Sequence, residues 1–144
     1  MTPADPTHAP PITRGLILFA HGARDPAWAA PFEAVAARVR ERHPAWQVRL
    51  AFLELMQPSL PEAVAALVQG GCARIDIRPM FLGTGGHVKR DLPLLVDDLR
   101  RAHAAVAFTL HAAIGEHTLV HDAMAEAIAA PPPPGNDDQS GSAR

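Results

Sequence analysis

Four short apolar runs, each followed by a stretch with apolar residues at helical spacing, alternate through the middle of this chain. The runs are GLILFA at 15–20, QVRLAFLE at 47–54, ARIDIRPMF at 73–81 and AVAFTLHAAI at 105–114. The first is continuously apolar, as a strand covered on both faces is. The helical stretches are 26–43, 59–71, 87–104 and 117–130. No other feature constrains the fold as much. Strands that alternate with helices pair in parallel, through right-handed crossovers. The expected class is therefore α/β, a single domain with a four-stranded parallel sheet and helices on both faces.

Local signals set the helix ends. Asp25 stands before Pro26, an N-cap followed by a residue suited to the first helical position. Pro31 is expected to delay or kink that helix. Ser59 and Glu62 have capping-box spacing, and Gly70 and Gly71 close the second helix. Pro93 falls near the first turns of the third. Residues 1–12 carry four prolines, and 131–144 are rich in Pro, Gly, Ser and Asp. Neither end can bury enough apolar surface to offset the entropy of ordering it. The expected organisation is an unstructured arm at 1–12, a folded domain at 13–130 and an unstructured tail at 131–144.

Composition narrows the function classes. A formal net charge of −2 leaves no general nucleic-acid footprint, so no nucleic-acid partner is expected. The single cysteine, Cys72, cannot form a disulfide within the chain. It reads as a small buried hydrophobe, and a cytoplasmic location is expected. The N-terminus has no basic segment before an apolar stretch, and no apolar run approaches the ~20 residues of a membrane span. No membrane partner is expected.

Parallel sheets bind ligands beyond the carboxyl ends of their strands, and the chemically useful residues fall there. His21 follows the first run and Glu54 closes the second. Gly83 to His87 follow the third, and Glu116 and His117 follow the fourth. A lone histidine is more often a structural residue bonded to a loop carbonyl. The strand-end position of His21 favours function, and Gly22 lets the chain turn tightly there. His87 stands at the start of a helix, where a further positive charge is disfavoured. A neutral imidazole can ligate a metal or accept a proton. The backbone N–H groups of that loop, with Lys89 and Arg90, could receive carboxylates or phosphates. The loop lacks both common glycine-rich phosphate motifs. Glu54 is a ligand, a base or a rim carboxylate. His117 and His121 are one helical turn apart, a spacing that can bind metal but has no supporting motif. His43 and His103 sit near helix ends, where the helix dipole explains them.

The segments LILFAHGARDP, FLELMQPSLPEAV and IRPMFLGTGGHVKRDLP resemble the small single-domain type II chelatases, the sirohydrochlorin cobaltochelatase and ferrochelatase family. The pairing of a post-strand His-Gly with a later GGHVKRD is more specific than either piece. The resemblance implies insertion of Co²⁺, Fe²⁺ or, in some members, Ni²⁺ into sirohydrochlorin, a tetrapyrrole with eight carboxylate arms. The metal is then a substrate, and no tightly bound cofactor is implied. The family's two metal-handling, catalytic histidines fall on His21 and His87, and its less uniform acidic position falls on Glu54. Arg24, Gly85, Gly86, Lys89 and Arg90 are placed to seat the carboxylate arms. The chain departs from the usual HGSRD by carrying HGARD, so Ala23 lacks a hydroxyl. A tetrapyrrole roughly 15 Å across outreaches a single half-cleft at ~4.8 Å per strand, so a homodimer is expected. Ala20 stands where histidine phosphatases carry an arginine, which argues against that chemistry. A non-catalytic metal carrier or sensor using the same histidine pair is the alternative.

Overall fold

The computed structural model describes residues 13–134. The arm expected at 1–12 and most of the expected tail, 135–144, lie outside the described residues. Four strands are present: β1 (Arg14–Ala20), β2 (Gln47–Phe52), β3 (Arg74–Pro79) and β4 (Ala107–Leu110). All pair in parallel, in the order β2-β1-β3-β4. The helices are α1 (Ala30–Arg42), α2 (Leu60–Gln69), α3 (Gly86–Ala102) and α4 (Thr118–Ala129). Short 3-10 turns at Pro26–Ala29 and Ile114–Glu116 precede α1 and α4.

The end signals act as their chemistry requires. The Asp25 carboxylate accepts from the Ala27 amide at 2.9 Å. Pro31 removes an amide, so the chain starts as a 3-10 turn and becomes α-helical only from Ala30. Ser59 caps α2 by accepting from the Glu62 amide, and its hydroxyl donates to the Glu62 carboxylate at 3.1 Å. β4 is shorter than its apolar run. Beyond His111, whose amide still bonds the Ile77 carbonyl, Pro79 offers no N–H. The Ala112 carbonyl takes the Arg78 guanidinium instead.

One sheet face is fully packed. Ile17, Phe19, Ile75, Ile77 and Phe108 meet Leu60, Val64 and Leu67 of α2 and Leu92, Val96 and Leu99 of α3. Each fully buried side chain of this size contributes about 1.5–3 kcal/mol. Cys72 belongs to this core. Burial pushes its thiol above the usual value, against a smaller opposing pull from Arg49.

The other face is covered unequally. Ala36 and Val39 of α1, with Trp46, pack on Leu18 and Val48. No residue of α4 is buried. The stripe on α4 therefore does not cover this chain's own sheet, although that is the usual fate of an amphipathic helix beside a parallel sheet.

Asp76 sits in the middle of β3 on this second face and is 1% exposed. Arg14 Nε donates to it at 2.8 Å, and His111 Nε2 lies 2.9 Å away. Burial raises the carboxyl pKa, but the hydrogen bonds from His111 and Arg14 and their charges outweigh it, so the net value is lowered. The sign follows from linkage. Stability from Asp76 is present above its unfolded pKa of about 3.8. It is lost as pH falls through the depressed native value. Asp76→Asn is expected to cost about 1–3 kcal/mol and to flatten this acid limb. The Arg14 guanidinium lies 4.1 Å over the Trp46 ring, so tryptophan fluorescence through a pH titration reports the change directly. An unchanged acid limb in the variant would assign acid unfolding to other carboxyls.

Candidate active site

The strand order places a topological switch between β1 and β3. α1 leaves the end of β1 toward one face, and α3 leaves β3 toward the other. Diverging connections open a crevice beyond the carboxyl ends of two neighbouring strands. His21 directly follows β1, and His87 opens α3, the helix after β3, so both lie at the carboxyl-end edge of the sheet.

His21 follows β1 directly and is exposed. Its ring lies 4.8 Å from that of Phe81, which comes from beyond β3 and is itself buried edge-on against Phe19 at 6.1 Å. Phe81 thus joins the two strand ends under the histidine. The loops after β1 and β2 are bonded together. Leu53 donates to the Ala20 carbonyl at 2.9 Å and Glu54 to the His21 carbonyl at 3.0 Å. Gly22 makes this possible. Its φ is +90°, and a Cβ there would lie 1.8 Å from the Glu54 carbonyl oxygen. Beyond Glu54 the chain reverses in a tight turn, with Met56 donating to the Glu54 carbonyl at 2.8 Å. The residue at its apex, Leu55, holds a φ of 64°, a conformation that costs a non-glycine residue about 1–3 kcal/mol. That turn holds Glu54 and Leu55 out on the rim.

His87 occupies the first turn of α3, after Gly85 at the N-cap position. Arg90, three residues on, donates to the Gly86 carbonyl at 3.2 Å and makes a long 3.5 Å contact with His87 Nδ1. A depression of about 230 Å³ beside His87 is lined by Phe19, Leu53, Val88, Asp91 and Leu92. Asp91, one turn after His87, was not singled out from the sequence. Lys89 lies elsewhere. It lines a separate cavity of about 150 Å³ with Thr84, His111 and Glu116. Arg24 is exposed just beyond Gly22.

Gly83, Gly85 and Gly86 share an informative property. None has a φ in the left-handed region, and a Cβ at any of the three would meet no atom within 4 Å. Neither backbone conformation nor internal packing demands glycine there.

Among the described residues, the remaining histidines have structural partners. His117 Nδ1 accepts from the Leu119 amide and caps α4. His121 Nε2 contacts the Gly115 carbonyl at 2.6 Å. His43 stacks on Trp46 at 3.9 Å, and His103 is the C-cap of α3. Among the described residues, no three His, Cys, Asp or Glu side chains stand close enough together to hold a metal ion. Glu54 therefore does not close a three-ligand site with the two histidines within this chain. No helix of the described residues is long and apolar enough to cross a membrane.

Residues 15–130 match the family model described as CbiX. The chain belongs to the CbiX family. This CbiX-family chain is 29% identical over 114 residues to the chloroplastic sirohydrochlorin ferrochelatase of Arabidopsis thaliana, covering 79% of this chain and 51% of that protein. It is 33% identical over 88 residues to the sirohydrochlorin cobaltochelatase of Methanocaldococcus jannaschii, covering 61% of this chain and 62% of that one. It thus spans between about half and three-fifths of these curated relatives. The crystal structure of a CbiX protein from Marinobacter aquaeolei VT8 superposes with a TM-score of 0.70 at 29% identity, covering 80% of this chain and 93% of that chain.

Proposed function

We propose that this CbiX-family protein inserts a divalent metal ion, Co²⁺ or Fe²⁺, into sirohydrochlorin. The observation that carries the reading is that His21 and His87 both lie at the carboxyl-end edge of the sheet, one directly after β1 and the other opening the helix that follows β3. The names of the two curated relatives, one a cobaltochelatase and one a ferrochelatase, support it.

The chemistry asks for three things. A partly desolvated cation must be held and then released. Imidazole does this better than thiolate, because it binds borderline metals without gripping them. Two pyrrole N–H protons must leave as the metal enters. The imidazoles of His21 and His87 can take them, and the Glu54 and Asp91 carboxylates nearby can pass them to water. The macrocycle must also be seated. Leu53, Leu55 and Leu82 are exposed on the rim and offer apolar surface to a ring face. Arg24 and Arg90 offer guanidinium groups to its carboxylate arms. An arm that takes Arg90 frees His87 Nδ1 from its present contact. The open positions at Gly83, Gly85 and Gly86 allow the ring edge to approach the backbone closely. A metal carrier needs ligands only, and has no use for an apolar rim and a bare glycine loop.

A four-stranded rim is roughly 14 Å wide at ~4.8 Å per strand. That is no wider than the ring, so a homodimer presenting two rims to one substrate is part of this reading. The test is direct. The protein is mixed with sirohydrochlorin and Co²⁺, and separately with Fe²⁺ under anaerobic conditions, while the absorption spectrum is followed. Metallation several-fold faster than in buffer is expected for at least one metal. A rate equal to that of the protein-free mixture for both metals would reject the assignment.

A further inference from the structure

His87 is held in an arrangement that leaves no ring nitrogen open to a metal ion, and the cause is Arg90. The guanidinium is placed by two contacts. Its Nε donates to the Gly86 carbonyl at 3.2 Å, and its Nη2 lies 3.5 Å from His87 Nδ1. A guanidinium has donors only and keeps its charge in a protein. Nδ1 therefore meets it with a lone pair, and the single proton of the neutral ring is on Nε2.

A metal ion needs a lone pair on the nitrogen it binds. On Nδ1 that pair points at Arg90. On Nε2 the proton stands in its place. Moving the proton to Nδ1 would open Nε2, but it would aim an N–H at a group with nothing to accept it. Use of either nitrogen thus requires Arg90 to leave. A divalent cation that approaches the ring also meets the guanidinium charge at short range.

The means of moving Arg90 lies outside its own surroundings. Among the described residues, no carboxylate stands within 4 Å of the guanidinium. The side chain is exposed, so an anion from solution can reach it. Its contact with Nδ1 is at the long limit of hydrogen bonding. A carboxylate offers the same fork two short, charge-assisted bonds, each roughly twice as strong as a neutral one. The exchange favours the carboxylate.

We propose that Arg90 is a latch on His87 and that a carboxylate arm of the macrocycle opens it, so that binding of the anionic ring and binding of the metal at His87 favour each other. The inference rests on the functional reading above and adds an order to it. Without the macrocycle the protein holds metal weakly at this histidine. The ligand becomes available once the ring that receives the metal is seated. Arg90 acts on the metal only through His87, and the coupling is reciprocal by linkage.

The test titrates Co²⁺ alone, and metal-free sirohydrochlorin alone, into wild type, Arg90→Gln and Arg90→Lys. His87→Ala supplies the Co²⁺ background from the other histidines. Glutamine removes both the latch and the charge. Lysine keeps the charge and replaces the planar fork with one nitrogen. Arg90→Gln should bind Co²⁺ at least about 5-fold tighter than wild type, and sirohydrochlorin at least about 5-fold weaker, the low end of couplings between sites. Arg90→Lys should share the gain for Co²⁺ and keep most of the affinity for sirohydrochlorin. Opposite signs for the two ligands mark a latch, because a damaged loop would weaken both. Three results would each overturn it: Co²⁺ binding in Arg90→Gln no tighter than in wild type, sirohydrochlorin binding indifferent to that change, or an Arg90→Lys that matches wild type for Co²⁺, which would leave charge alone as the cause. Neither titration reads turnover. Failure to metallate would reject the functional reading, while the Co²⁺ ratios would still decide the latch.

Discussion

His87→Ala is expected to lower the metallation rate at least about 100-fold, the span typical of losing a positioned acid–base group. His21→Ala should do the same. Both histidines are exposed beyond strand ends, so neither change removes core packing. The melting temperature should stay within about 2 °C of wild type, as for surface substitutions generally. The measurement is the initial rate of the spectral change in sirohydrochlorin at saturating Co²⁺ or Fe²⁺, paired with a thermal melt. Glu54→Gln serves as the graded control. It keeps the turn around Leu55 and removes only charge, so a fall of about 10-fold or less is expected if protons can also leave through Asp91. Wild-type turnover in His87→Ala would take the metal site away from the crevice altogether.

The second large effect is on folding, not on turnover. Gly22→Ala places a methyl group 1.8 Å from the Glu54 carbonyl oxygen, in a backbone conformation with φ at +90°. Two penalties combine, one conformational and one steric, and the neighbour is backbone that cannot step aside. A loss of roughly 2–4 kcal/mol is expected, which lowers the melting temperature by about 10 °C. Gly85→Ala is the matched comparison. It meets nothing within 4 Å and should leave the melt unchanged while weakening substrate binding. If Gly22→Ala melted like the wild type, the bonded pair of loops after β1 and β2 would not be fixed as described.

The sheet was legible because its strands are short apolar runs bounded by helical periodicity, and that pattern has few parallel-sheet alternatives. The crevice was legible for the same reason. Once the strands are parallel, a histidine and a glycine after the first of them must lie on the ligand-binding edge. Other features were hidden for definite physical causes. Amphipathic spacing in 117–130 shows that α4 has an apolar face, but periodicity does not say which surface that face meets. Lys89 was grouped with His87 because the two are close in sequence. Two residues are about 200° apart around a helix, so Lys89 points into another cavity, while Arg90 and Asp91, three and four residues on, stay near His87. Asp76 carried a readable signal, a carboxylate inside the apolar run ARIDIRPMF. Its partners are Arg14 of β1 and His111 just beyond β4, and no local pattern brings them together. Phe81 was read only as the end of a strand, since its place beneath His21 depends on the β1–β3 pairing.

The open space around Gly83, Gly85 and Gly86 bears on how such a site can diversify. Most positions in a binding pocket answer to two demands at once, so a change that alters the ligand also disturbs the scaffold. Here the demands are separated. The wall built from Gly22 and the Glu54 turn admits no added atom, while the opposite lip has room for methyl groups at three positions. Side chains added one at a time along that lip would narrow the entrance for bulkier macrocycles without drawing on the stability of the fold. Selection, natural or in the laboratory, therefore has a dial for ring preference on this chain that is not mechanically linked to its folding.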